Sequence, residues 1–134
     1  MVFTHRPLFD LRPDWEWFTS DGDDVMNVLS AYDNVTVLYG HIHRDDEHQN
    51  GGVHHYGARS LIFGFPDPNG NPGPRKAMPF DKDHPFKNLG IRTVSFNGKA
   101  EVGSEELSIK DIELTAREFG GINGVQQLLR NPEV

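Results

Sequence analysis

The order of apolar and polar residues along the chain predicts a helix followed directly by a buried strand. Across residues 20–32, apolar side chains recur three and four positions apart, which is the spacing of one helix face. These residues are Val25, Val28, Leu29 and Tyr32. Ser20 or Asp21 is suited to cap the start of this helix. The next run, Val35–Tyr39, has the composition of a strand that is buried on both faces, as in a parallel or mixed sheet. This order indicates the α/β class.

Shorter patterns predict further elements. Residues 1–4 predict a short strand, and residues 53–56 and 60–65 predict a hairpin beside the strand at 35–39. The Asn97-Gly98 dipeptide predicts a turn between strands at 91–96 and 99–102. We interpret the chain as one partial domain over 1–134. Within it, a proline-rich excursion spans 66–90 and a short helix with a tail spans 120–134.

Two segments without strand or helix patterns also lead to predictions. The aromatic residues between positions 9 and 18 have no regular period, so we expect an irregular loop that packs locally or lines a cleft. Residues 44–52 are almost entirely polar, which predicts a loop. Adjacent His54 and His55 would face opposite sides of a strand, and we interpret both as structural.

Histidines stand where predicted strands end. His5 follows the first short strand, and His41 and His43 follow the buried strand after Gly40. We expect Gly40 to turn the chain through a positive φ. In an extended backbone, residues two positions apart point to the same side, so His41 and His43 would share a face. If the two strands are neighbours, three imidazoles converge, and imidazole is a common ligand of divalent metals.

Composition narrows the chemistry. The chain contains no cysteine, so a metal would be held by His, Asp, Glu or Asn. The formal net charge of −7 argues against a nucleic-acid footprint, which needs a basic face. No apolar run approaches the ~18 residues that a membrane span requires.

Two segments resemble a known family. Phe-Thr-His-Arg-Pro-Leu at 3–8 and Leu-Tyr-Gly-His-Ile-His at 38–43 resemble the last two signature blocks of the calcineurin-like metallophosphoesterases. Residues 60–68 and 79–90 are similar to the C-terminal part of bacterial, often exported, members. The resemblance implies a two-sheet sandwich with flanking helices, of which this chain is the C-terminal half.

The resemblance also implies a site and a reaction. His5 and His41 would ligate one divalent metal and His43 a second, with Mn, Fe or Zn as the candidate metals. Arg6 and Arg44 flank these ligands and are candidates for contacts with a phosphate. The substrate would be a phosphomonoester or phosphodiester, hydrolysed by a water that the two metals activate.

Three further expectations stay open. The earlier family blocks, including the one with the bridging carboxylate, do not precede His5, so a missing N-terminal half or self-association would be needed to complete the site. A non-catalytic alternative is a metal-binding or interaction remnant. A lesser alternative is a cupin-type site, because Glu47 follows the His41-x-His43 pair at the cupin spacing, although cupins use an all-β barrel.

Overall fold

The computed structural model describes residues 1–70, 73–96 and 102–108. These residues contain six strands, one 3₁₀ turn and one α-helix. In chain order they are β1 (Val2–Thr4), the 3₁₀ turn (Pro13–Trp15), α1 (Gly22–Leu29), β2 (Val35–Tyr39), β3 (Asp46–Asn50), β4 (Val53–Gly57), β5 (Gly90–Phe96) and β6 (Val102–Ser108). The predicted helix and tail at 120–134 lie outside the described residues.

Four strands form a mixed sheet in the order β1-β2-β4-β3. Strands β1, β2 and β4 run parallel, and β3 pairs antiparallel with β4 at the edge. The connection from β1 to β2 contains α1, because parallel neighbours need a crossover. The described residues therefore have an α/β arrangement. Within this part of the chain, no helix has the length and apolar character that crossing a bilayer requires.

The hairpin of β5 and β6 is joined to this sheet through Arg92. Its guanidinium donates to the Gly57 carbonyl at 2.8 Å and forms ion pairs with Asp45 and Glu47. The Arg92 side chain is only 3% exposed, so these partners offset the cost of burying its charge. A hairpin was predicted at this place, and the described part of its second strand is β6, Val102–Ser108. The predicted turn at Asn97-Gly98 and residues 99–101 of the predicted second strand lie outside the described residues.

Apolar side chains pack in two clusters. The sheet–helix cluster consists of Leu8, Val35, Val37 and Val53, and α1 packs its half-buried side chains against it. The tryptophan cluster consists of Trp15, Trp17, Tyr39 and Ile42. Because both tryptophans are buried, the aromatic loop packs locally and does not form a cleft wall.

The structure corrects the predicted hairpin partner of β4. Residues 60–65 form no strand, and the partner is β3, which we had predicted as a loop. The reason is that β3 is an edge strand with mostly exposed side chains, so it needs no alternation of apolar residues. From 66 to 89, the described residues form no helix or strand, and Leu89 makes an isolated bridge to Ser60.

The helix is shorter than predicted. It spans Gly22–Leu29 rather than 20–32, and Asp21 at the N-cap makes no capping hydrogen bond with its side chain. Val28 and Tyr32 are more than 60% exposed, so the buried face is narrower than the periodicity suggested. The contact with the sheet–helix cluster comes instead from Val25, Met26 and Leu29.

The start of α1 packs so closely that we expect Gly22→Ala to destabilise the fold. A Cβ at this position would lie 2.2 Å from the Leu8 carbonyl oxygen, which is a backbone atom with little freedom to move. Overpacking of this kind costs about 1–3 kcal/mol in the free energy of unfolding. Urea unfolding, followed by the fluorescence of Trp15 and Trp17, measures the change.

Gly40→Ala is the matched control for this prediction. A Cβ at Gly40 meets only the His5 carbonyl oxygen, at 4.0 Å, which is an ordinary contact. Its urea midpoint should stay close to that of the parent chain. Equal midpoints for both variants would show that the approach of α1 to Leu8 is not tight in solution.

Candidate metal centre

The register of the parallel strands brings His5 and His41 together. Thr4 at the end of β1 pairs with Tyr39 at the end of β2. The next residues continue this alignment, since the Gly40 N–H donates to the His5 carbonyl at 3.2 Å. The site therefore lies at the carboxyl ends of parallel strands, where open α/β sheets bind ligands.

The two rings meet through their nitrogens. His41 Nδ1 lies 3.1 Å from His5 Nε2, and the ring centroids are 4.9 Å apart in an edge-on arrangement. Two imidazole nitrogens on one tetrahedral zinc ion are ~3.3 Å apart at zinc–nitrogen distances of 2.0–2.1 Å. The observed separation is that of a hydrogen bond between the two rings, and it is also close to that of two ligands of the same metal.

The loop that carries the later histidines has a different conformation from the one we predicted. His41 and His43 have positive φ angles of 64° and 51°, whereas Gly40 is not among the positive-φ residues. Ile42 between them is fully buried in the tryptophan cluster. The backbone is therefore coiled rather than extended. We expected the two imidazoles to point to the same side because side chains alternate along a strand. That reason does not apply to this coiled backbone.

His43 is held by the loop after β4. Its Nδ1 lies 2.9 Å from the Phe63 carbonyl oxygen, and its ring packs against Phe63 and Phe65. With Nδ1 donating to this carbonyl, the Nε2 lone pair is left for a ligand. Metal-binding histidines are commonly oriented in this way by a backbone carbonyl.

The described residues do not assemble a complete ligand set. Among them, no group of three or more His, Asp or Glu side chains is arranged to hold a metal ion. The structure brings His5 and His41 together and directs Nδ1 of His43 to a backbone carbonyl. Imidazole nitrogens are suitable donors for a divalent metal, and here His5 and His41 bring two of them face to face. Further ligands would have to come from outside the described part of the chain.

Electrostatics favour the neutral form of His41. Its pKa is lowered mainly by burial, and then by the nearby charges of Arg6, His5, Arg75 and His43. Neutral imidazole is the form that ligates metals. The Nε2 atom of His41 is buried and has no hydrogen-bond partner among the described residues. His41 thus contacts His5 through Nδ1, while its second ring nitrogen has no partner in the described part of the chain.

Arg44 lies beside His43 and is tied to a carboxylate. Its Nη1 is 3.0 Å from Asp67 Oδ1. The pKa of Asp67 is lowered by the Asn69 backbone N–H and by this guanidinium. Both residues line a cleft of about 450 Å³. Its other lining residues are His43, Asp45, Arg59, Phe65, Pro66, Met78 and Asn88. The Arg44 guanidinium next to the candidate ligand His43 is therefore already paired with a carboxylate.

The remaining candidate residues lie elsewhere. Glu47, the acid of the cupin alternative, is on β3 and hydrogen-bonds to Arg92 at 3.4 Å. His55 is buried and its ring packs against Phe9, while adjacent His54 is half-buried. These positions agree with structural roles for His54 and His55. They also give the cupin alternative no support, because its acid is engaged with β5.

Sequence reasoning missed two groups near the site. One is Arg75, whose Nη1 donates to the Trp15 carbonyl at 2.6 Å and whose charge acts on His41. The other is the Phe63 carbonyl, which orients His43. Neither has a local sequence signal, because each contact joins segments that are distant along the chain. Comparison with known proteins adds nothing to this picture: no family model, no curated protein and no solved structure matches the chain.

Proposed function

We propose that this chain contributes to a metal-dependent phosphoric ester hydrolase of the metallophosphoesterase type. The observation that carries the proposal is the 3.1 Å approach of His5 Nε2 and His41 Nδ1 at the carboxyl ends of parallel strands. On this proposal, the mixed sheet would be one layer of a two-sheet sandwich with flanking helices. Arginines on both sides of the ligand loop support an anionic substrate.

Each candidate residue has a role that follows from its chemistry. His5 and His41 would hold one divalent metal through the two facing nitrogens, and His43 would bind a second through Nε2. Mn, Fe or Zn would offset the negative charge of the phosphate ester and supply a hydroxide nucleophile when bound. Arg6 and Arg44 would contact phosphoryl oxygens, because a guanidinium matches them in shape and charge.

A second candidate function is supported by the incomplete ligand set. On this candidate, the chain would bind metal weakly through the facing nitrogens of His5 and His41. It would not turn over substrate by itself, because the described residues hold no group of three ligating side chains. In that case, the remaining ligands would come from an N-terminal half or from a second copy of the chain. The two candidates therefore differ in turnover rather than in metal binding.

Calorimetric titration with Mn²⁺ and Zn²⁺, paired with hydrolysis of p-nitrophenyl phosphate and bis-p-nitrophenyl phosphate, tests both. We expect metal binding that depends on His5 and His41, with turnover if the ligand set is completed. Binding without turnover, in both the monomeric and the self-associated fractions, would favour the second candidate. A chain that binds neither metal would contradict both.

A further inference from the structure

Two arginines from distant segments contact consecutive backbone carbonyls beside the candidate ligands. Arg6 Nη1 donates to the Glu16 carbonyl at 3.3 Å, and Arg75 Nη1 donates to the Trp15 carbonyl at 2.6 Å. Since Trp15 and Glu16 are adjacent, the two guanidinium groups are held at neighbouring points. Arg6 directly follows His5, so this pair of arginines lies next to the facing imidazoles.

The segment that carries Arg75 is anchored two positions before this residue. Trp15 Nε1 donates to the Gly73 carbonyl at 3.3 Å, two positions before Arg75. The Trp15 ring is 2% exposed and packs edge-to-face on Trp17 at 4.6 Å, so it is a rigid support. The proline-rich segment is therefore fixed to the tryptophan cluster at the point where Arg75 leaves it.

Both guanidinium groups keep donors for a ligand. A guanidinium has five N–H donors, and each carbonyl contact described here uses one of them. Both arginines are exposed at the surface. The two carbonyl contacts hold two positive guanidinium groups at neighbouring points, and positive charges held close together attract an anion.

We propose that Arg6 and Arg75 together form an anion-binding arm that takes a phosphate group beside the His5–His41 pair. Arg6 was a candidate phosphate contact from the sequence, and Arg75 is the new member. This inference rests on the proposed function in one respect. If the chain contributes to a phosphoric ester hydrolase, the anion is the phosphoryl group of the substrate. Two guanidinium groups that approach from different segments can bind different oxygens of one phosphate. We therefore expect the pair to bind phosphate more tightly than a single arginine would.

Titration with inorganic phosphate tests the arm directly. Phosphate binding is measured by calorimetry or by phosphorus NMR, at fixed ionic strength and with a chelator present, so that metal does not contribute. We expect Arg75→Gln to raise the Kd for phosphate about tenfold or more. The Kd of Arg75→Lys should lie between those of the parent chain and Arg75→Gln, because lysine keeps the charge but not the planar set of N–H donors.

Lys76→Gln is the matched control, since it removes the same charge from the next, exposed position. Its Kd for phosphate should stay within about twofold of the parent value, because it changes only the distant field. Thermal melts of all variants show whether the loss of the Trp15 contact alters the fold. If Arg75→Gln melts earlier, the Arg75→Lys variant still reports the role of the planar set of N–H donors.

The outcomes separate this inference from the proposed function. No phosphate binding to the parent chain, or equal binding by Arg75→Gln and Lys76→Gln, overturns the arm. Metal-dependent hydrolysis with an unchanged KM in Arg75→Gln would reject the arm while supporting the hydrolase. Phosphate binding that needs Arg75, in a chain that never hydrolyses an ester, would support the arm and reject the hydrolase.

Discussion

His41→Ala is expected to lower metal affinity by about 100-fold or more, and any metal-dependent hydrolysis with it. Loss of a group that only orients a metal ligand typically costs 10–100-fold, so loss of a ligand nitrogen should cost at least the upper value. His5→Ala should have a similar effect, because its Nε2 faces His41 Nδ1 at 3.1 Å and would bind the same metal. Calorimetric titration with Zn²⁺ and Mn²⁺ measures the loss.

The double variant gives the sharper result. If His5 and His41 hold one ion, removing both should cost little more than removing either, since the second substitution acts on a site that is already lost. His84→Ala is the control, because that imidazole is exposed and paired with Asp81 at 3.2 Å. Fully additive losses, or an equal loss in His84→Ala, would mean that the facing rings do not share a metal.

His43→Ala should behave differently from the other two variants. Its Nδ1 is engaged with the Phe63 carbonyl, and its ring does not join the His5–His41 contact. On the proposed function, its loss should remove one metal equivalent from the stoichiometry and leave the first equivalent bound. This difference makes the number of metals bound per chain a direct test of the two-metal arrangement.

The sequence predicted the part of the site that depends on strand order. The short strand before His5 and the buried strand before Gly40 were both located correctly, and they are parallel neighbours in the sheet. Once two strands are neighbours, the residues after their carboxyl ends must lie close together. The contact between His5 and His41 follows from this adjacency, which the sequence analysis stated only as a condition and the parallel pairing of β1 with β2 supplies.

The part that could not be predicted depends on contacts between distant segments. The φ angles of His41 and His43 are set by burial of Ile42 against Trp15 and Trp17, which no local pattern encodes. The orientation of His43 depends on a backbone carbonyl of a loop predicted as a strand. Strand β3 was missed for a related reason, because an exposed edge strand is polar in sequence and is recognised only by its pairing with β4.

The stability of the fold is expected to fall between about pH 6.5 and pH 4 because of His55. This side chain on β4 is 1% exposed, and neither ring nitrogen has a hydrogen-bond partner among the described residues. Burial is the main cause that lowers the pKa of His55 to about 4; the charges of His48 and His54 act in the same direction, and that of Asp46 opposes them. The unfolded chain therefore binds a proton at a higher pH than the folded chain does.

The sign of the effect follows from this difference in proton binding. Above the unfolded pKa both states are neutral at His55, and its contribution is fully present. As the pH falls toward the folded pKa, only the unfolded state gains the proton, so the free energy of unfolding decreases. A difference between 6.5 and about 4 corresponds to a loss of up to about 3 kcal/mol. Urea unfolding at several pH values measures it.

His55→Phe should remove most of this pH dependence. The ring already packs edge-to-face on Phe9, with centroids 5.3 Å apart, so an aromatic side chain without nitrogens suits the position. At pH 7 the variant should be at least as stable as the parent chain, because two buried unpaired nitrogens are lost. His54→Phe, at the half-buried neighbouring position, should keep most of the parent's slope, because the charge of His54 is the smallest cause of the shift. A slope that persists in His55→Phe would assign the acid sensitivity to other groups instead, such as His41, whose pKa is also lowered by burial, or the carboxylates.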